Sequence, residues 1–112
     1  AACHQTTGAG IQGVFPPLAG SEWVMGDPRR VVAIVTYGLQ GKIAVAGESY
    51  DSAMPSVQLT DGELAEVLTY VRGAWGNDAG AVEADLVTDA RATLAGRTSN
   101  IGGQAELEAL FR

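Results

Sequence analysis

The glycines of this chain, fifteen in 112 residues, are concentrated between residues 8 and 47, where they leave little room for long regular elements. Glycine makes up about 7% of ordinary proteins, and each one inside a helix or strand carries a conformational entropy cost that a side chain would reduce. The first half of the chain is therefore expected to be loop-rich. One short helix fits within it, in GDPRRVVAIVTYGLQG: Asp27 is a good N-cap, Pro28 suits the first helical position, and Gly38 is placed to stop the helix. From Gly38 to Thr60, the residues Gly41, Gly47 and Pro55 interrupt every periodicity, so this stretch reads as a loop with no convincing strand pair.

The second half has stronger helical signals. In LTDGELAEVLTYVRGAWGN, Thr60 and Glu63 form a capping box, Leu64, Val67, Leu68, Val71 and Trp75 repeat at helical spacing, and Gly76 is expected to end the run. VEADLVTDARATLAG gives a further amphipathic helix with Leu86, Val87, Ala90 and Leu94 on one side and Gly96 as its stop, and GGQAELEALFR supplies a last short one. The fold class is all-α, built from short helices and long glycine-rich connections. Such connections bury little apolar surface, and in a small domain they have a functional reason or something to wrap. A large apolar cofactor would provide it.

Length allows one small domain with a modest appendage and excludes a large enzyme. The formal charge is -6 and the seven basic residues are scattered, so no phosphate-tracking stripe exists. Nucleic acid is not an expected partner, whereas a basic protein surface is. No apolar run approaches the roughly 20 residues of a bilayer span, so membrane association is expected only through partners or segments outside this sequence. The lone cysteine, Cys3, cannot form an internal disulfide; it stands beside the lone histidine, His4, in AACHQTTGAG.

The run AACHQTTGAGIQGVFPPLAGSEW, followed by GLQGKIAVAGESYDSAMPSVQLTDGELAEVLTYVRGAWGN, resembles the class I c-type cytochromes of bacteria, over residues 1–77. The resemblance implies the cytochrome c fold, wrapped around one covalently bound haem c. In that family a C-x-x-C-H motif attaches the haem through two thioethers, and its histidine binds the iron. Cys3 and His4 match the second cysteine and the histidine, with Ala1 and Ala2 at the intervening positions. The first cysteine is expected just before Ala1. The sequence is thus expected to be N-terminally incomplete, lacking also the helix that in the family precedes the haem motif and packs across the C-terminal helix.

The same resemblance implies the rest of the site. PPLAG places Pro16, Leu18 and Gly20 on the family's P-x-L-x-G stretch, whose proline carbonyl accepts a hydrogen bond from the ligand histidine and fixes its ring. SAMPSV places Met54, followed by Pro55, as the sixth ligand, and a thioether opposite an imidazole raises the reduction potential. Met25, in EWVMGDP, is the rival. His4 and Met54 are the expected iron ligands, and Trp23, Tyr37, Leu39, Ile43 and Tyr50 are candidates to line the pocket, with ordinary core packing as the alternative. Tyr37, Tyr50 and Arg72 are candidates to reach haem propionates, Arg72 alternatively being a solvated helix residue.

The function so implied is one-electron transfer in a respiratory chain, with no catalytic residue needed. The partners would be redox proteins, among them a larger dehydrogenase or oxidase complex, on the periplasmic or outer face of a bacterial inner membrane. Residues 1–77 are expected to be the cytochrome domain and 78–112 a helical C-terminal extension, which either belongs to a larger assembly or folds back on its own domain. A haem enzyme or gas sensor with an open sixth site, and a haem-free interaction domain, are the other readings.

Overall fold

A computed structural model describes residues 8–10, 16–51, 53–96 and 100–110. Its elements run α1 (Glu22–Met25), α2 (Pro28–Tyr37), β1 (Ile43–Val45), β2 (Glu48–Tyr50), α3 (Asp61–Gly73), α4 (Ala84–Thr93) and α5 (Gln104–Leu110). Helices dominate and the all-α class stands, with one small sheet added.

Local capping sets two of the helices that the sequence foretold, α2 and α3. The Asp27 carboxylate accepts from Arg29 N at the head of α2, Pro28 occupies its first turn, and Gly38 N donates to Ile34 O at its end. At α3, Thr60 Oγ1 accepts from Glu63 N at 3.1 Å while Glu63 Oε1 accepts from Thr60 N at 2.9 Å, which satisfies two donors that a helix start leaves open. The end of α3 differs from expectation. The helix stops at Gly73, before Gly76, because Ala74 turns to extended backbone and Trp75 takes a φ of +52°.

The stretch from Gly38 to Thr60 also departs from its reading as a loop. Ile43, Ala44 and Val45 pair with Tyr50, Ser49 and Glu48 in an antiparallel hairpin, closed by Ala46 and Gly47 at φ +51° and +86°. Two positive φ values in a two-residue loop match the right-handed twist of the strands, but Ala46 gives no sequence sign of it. The hairpin is held by α1 instead: Trp23 Nε1 donates to Ala44 O at 2.7 Å, and Glu22 Oε1 accepts from Ala46 N at 2.8 Å. A two-stranded hairpin alone is marginal in water, and these bonds supply what its own residues do not.

The core is continuous from α1 to α5. Leu64, Leu68 and Val71 of α3 are buried, as are Val87 and Ala90 of α4, Leu94 after it, and Leu107 of α5. α4 packs on both α3 and α2, so it covers much of the α3 stripe. Burying a leucine or valine side chain fully contributes about 1.5–3 kcal/mol, which makes Leu64, Leu68, Val32, Val87, Ile101 and Leu107 the main contributors. The stripe is narrower than its spacing suggested: Val67 is exposed and Trp75 is half-buried. No helix among the described residues is long and apolar enough to cross a membrane.

A polar link also joins α3 to α4. The Thr88 hydroxyl and the Arg91 guanidinium hydrogen-bond the Asp61 carboxylate and hold its pKa below the usual value, while Arg91 Nε donates to Thr36 Oγ1 at 3.0 Å. A carboxyl whose pKa is depressed by folding contributes stability above its unfolded pKa, near 3.9, and loses it as pH falls through the lower folded value. Asp61→Asn is therefore expected to lower the thermal midpoint at pH 7 and to have a shrinking effect below about pH 4. Thermal unfolding of both proteins across that range checks it; an equal difference at every pH would place the effect elsewhere.

Candidate functional site

Of the expected ligands, Cys3 and His4 lie outside the described residues. The PPLAG stretch and Met54 lie within them. Pro16 and Leu18 are half-buried, and the backbone around them is tied down from two directions. Leu18 N and Ala19 N both donate to Gly8 O, at 2.7 and 2.9 Å. Asn77 bridges the other side: its Nδ2 donates to Leu18 O at 3.1 Å and Val71 O at 2.7 Å, and its Oδ1 accepts from Gly20 N at 2.8 Å. Gly8 has φ +71°, and a Cβ there would stand 2.5 Å from the Trp75 indole. Gly8 and residues 18–20 are therefore anchored to the C-terminal end of α3 and the turn after it.

Met54 is half-buried on a loop whose backbone is paired. Met54 N donates to Leu39 O at 2.7 Å, Leu39 N donates to Met54 O at 3.0 Å, and Val57 N donates to Val35 O at 2.9 Å. The close approach requires glycine beside it: Gly38 sits at φ +81°, and a Cβ there would lie 2.7 Å from Met54 O and 3.0 Å from Ser56 N. On the opposite edge, Ile101 N donates to Gly38 O and Gln40 N donates to Ile101 O, both at 2.9 Å. Residues 38–40 thus run between Met54, antiparallel, and Ile101, parallel. Met25, the rival ligand, is half-buried at the last position of α1.

The expected pocket residues lie in or against the general core. Trp23, Leu39, Ile43 and Tyr50 belong to one buried cluster, with Leu18, Tyr37 and Met54 packed against it. Their polar groups are partly committed: Trp23 Nε1 to Ala44 O, and Tyr37 OH to Leu94 O at 3.0 Å. The Arg30 guanidinium lies 5.7 Å from the centre of the Trp23 ring. Arg72 is not the solvated helix residue that its sequence left open. It is buried, and donates from Nε to Gly80 O at 2.8 Å and from one terminal nitrogen to Val24 O at 3.0 Å and Gly26 O at 2.9 Å.

Asn77, Gly8 and the Ile101 pairing were not foreseen. Each acts through backbone groups distant in sequence, which leave no spacing to read. The donor set fits a c-type haem iron all the same: a soft thioether on a loop paired along its backbone, beside a cluster of aromatic and aliphatic side chains, in a sequence with cysteine and histidine at positions 3 and 4.

Comparison with known proteins identifies the family. Residues 1–75 match the family model described as Cytochrome c. Cytochrome c-552 of Thermus thermophilus is 44% identical over 82 residues, covering 69% of this chain and 63% of its own. The cytochrome c subunit of the quinone-dependent alcohol dehydrogenase of Gluconobacter oxydans (strain 621H) is 36% identical over 98 residues, covering 83% of this chain and 20% of its own. The gluconate 2-dehydrogenase cytochrome c subunit of Pantoea cypripedii is 36% identical over 88 residues, covering 70% of this chain and 19% of its own. The chain therefore spans 63% of the length of the Thermus relative and about one-fifth of the two subunits. These matches define an electron-transfer domain with a covalently bound haem c, not an enzyme in its own right. The chain belongs to the cytochrome c family.

Proposed function

We propose that this chain passes single electrons through a haem c held by Cys3 as thioether anchor, with His4 and Met54 as the axial iron ligands, within a respiratory electron-transfer chain. The observation that carries the reading is the backbone pairing of Met54 with Leu39 across the open face of Gly38. A thioether presented from a fixed loop changes position little between oxidation states, which keeps the reorganisation accompanying each transfer small. When bound, the haem supplies the one-electron Fe(III)/Fe(II) couple. His4 and Met54 would both ligate the iron and so would leave no place for oxygen or peroxide. In this reading the Pro16 carbonyl would accept from the His4 imidazole and fix its orientation. Leu18, Trp23, Tyr37, Leu39, Ile43 and Tyr50 would exclude water from the ring.

The partner is a redox protein, and the names of two relatives favour a place beside a larger dehydrogenase, an oxidase complex being the other possibility. The site of action is the periplasmic or outer face of a bacterial inner membrane, in keeping with covalent haem attachment. Thirteen acidic against seven basic residues favour a basic docking face on the partner. A potentiometric titration of the haem-loaded protein is expected to follow a one-electron curve. Its second-order rate with a basic partner protein is expected to fall about tenfold or more from low to high salt. A two-electron slope would reject the carrier role, and a rate indifferent to salt would reject the acidic docking face.

A further inference from the structure

We infer that the segment carrying Ile101 and Gln104 is a positioning element for the sixth-ligand loop: it holds residues 38–44 in place, and through Leu39 it limits how easily Met54 leaves the iron. The inference rests on Met54 being that ligand. Three observations carry it. Leu39 turns both of its backbone groups to Met54, while the neighbouring groups, Gly38 O and Gln40 N, turn to Ile101. The strip between the two segments therefore has its ladder bonds made on both edges. Gln104 continues the contact: its backbone N donates to Lys42 O at 2.8 Å, and its side-chain Oε1 accepts from Ala44 N at 2.8 Å.

The approach is built for closeness. A Cβ on Gly41 would lie 3.2 Å from Gly102 O, and one on Gly103, at φ +101°, 3.0 Å from Lys42 O. Ile101 and Leu107 are fully buried, and α5 packs on α2, so the segment is anchored in the core rather than laid on the surface. A loop that must release a ligand has to break its own pairing first. Strengthening the far edge of residues 38–44 makes that opening rarer. Ile101 and Gln104 are positioning residues in this sense, acting through residues 38–44.

The test compares the haem-loaded wild type with Gln104→Ala, Gln104→Glu and Val87→Ala. Gln104→Ala removes the acceptor for Ala44 N, Gln104→Glu keeps an acceptor oxygen, and Val87→Ala lowers global stability from a fully buried site in α4. Two readouts are taken: amide hydrogen exchange at Leu39 and Met54, and the affinity of added imidazole for the ferric iron, which must displace the thioether. One hydrogen bond corresponds to about three- to tenfold in an equilibrium. Gln104→Ala is expected to speed exchange at both amides and to tighten imidazole binding by about that factor. Gln104→Glu is expected to restore both, and Val87→Ala to leave the imidazole affinity unchanged. If Gln104→Ala behaves as wild type, or if Val87→Ala reproduces its effect, the positioning role is overturned while Met54 ligation stands. If Met54→Ala binds imidazole no more tightly than wild type, Met54 is not the ligand and the inference falls with that assignment.

Discussion

Met54→Ala is expected to lower the midpoint potential by on the order of 0.1–0.3 V, within the roughly 0.8 V range that axial ligands set. The reason is the ligand's softness. A thioether favours Fe(II) over Fe(III), and once it is gone the sixth position falls to water or an added base, which favours the ferric state. The same variant should lose the weak far-red absorption band that methionine ligation gives oxidised members of the family, and should bind carbon monoxide when reduced. The fold should survive. Met54 is only half-buried, and the pairing of its N–H and carbonyl with Leu39 needs no particular side chain. A stability loss of about 1–2 kcal/mol is expected, below that for emptying a fully buried site. Met25→Ala is the necessary control: it should leave the potential and the far-red band unchanged. A shift in Met25→Ala, with none in Met54→Ala, would move the sixth ligand to α1.

What could be read from the sequence, and what could not, divides along the range of the interactions. The start and stop of α2 are legible because Asp27, Pro28 and Gly38 act within one turn of the residues they organise, and the Thr60–Glu63 box is legible for the same reason. The hairpin at 43–50 escapes because its turn uses Ala46 where asparagine or glycine is usual, and because its stabilising partners, Trp23 and Glu22, stand about twenty residues upstream. Spacing assigns Val67 to the buried face of α3, yet burial depends on what packs there. Among the described residues it lies 45% exposed. The site divides in the same way. Met54 is marked by its residue type and the proline that follows it. What holds Met54, the strip between it and Ile101, is made of backbone bonds that any residue can form. Asn77 is the intermediate case: its amide can cap a helix end, but only the fold brings Leu18 and Gly20 to it.

Arg72 decides a different question, namely whether a buried cation near the end of α3 serves the fold or the haem. Its guanidinium donates to carbonyls from separate places: Val24 and Gly26 around the end of α1, and Gly80 before α4. The first two belong to the carbonyls a helix end leaves open, so the guanidinium caps α1 from outside while pinning α3 to it. Arg72→Met keeps much of the aliphatic volume and removes every donor, leaving those acceptors with lost bonds in a buried place. A loss of about 2–4 kcal/mol is expected, seen as a lower denaturant midpoint with an unchanged slope. Arg72→Lys should recover only part of it, because one ammonium cannot reproduce a planar fork that reaches carbonyls on both sides. If Arg72 serves the fold alone, the midpoint potential of the folded, haem-loaded Arg72→Met protein will equal that of the wild type. A cation that also met a propionate would stabilise the ferrous state, so its removal would lower the potential, and Arg72→Lys would restore the potential more fully than the stability. Unfolding and potentiometry on the same two variants therefore separate a structural arginine from one that tunes the iron.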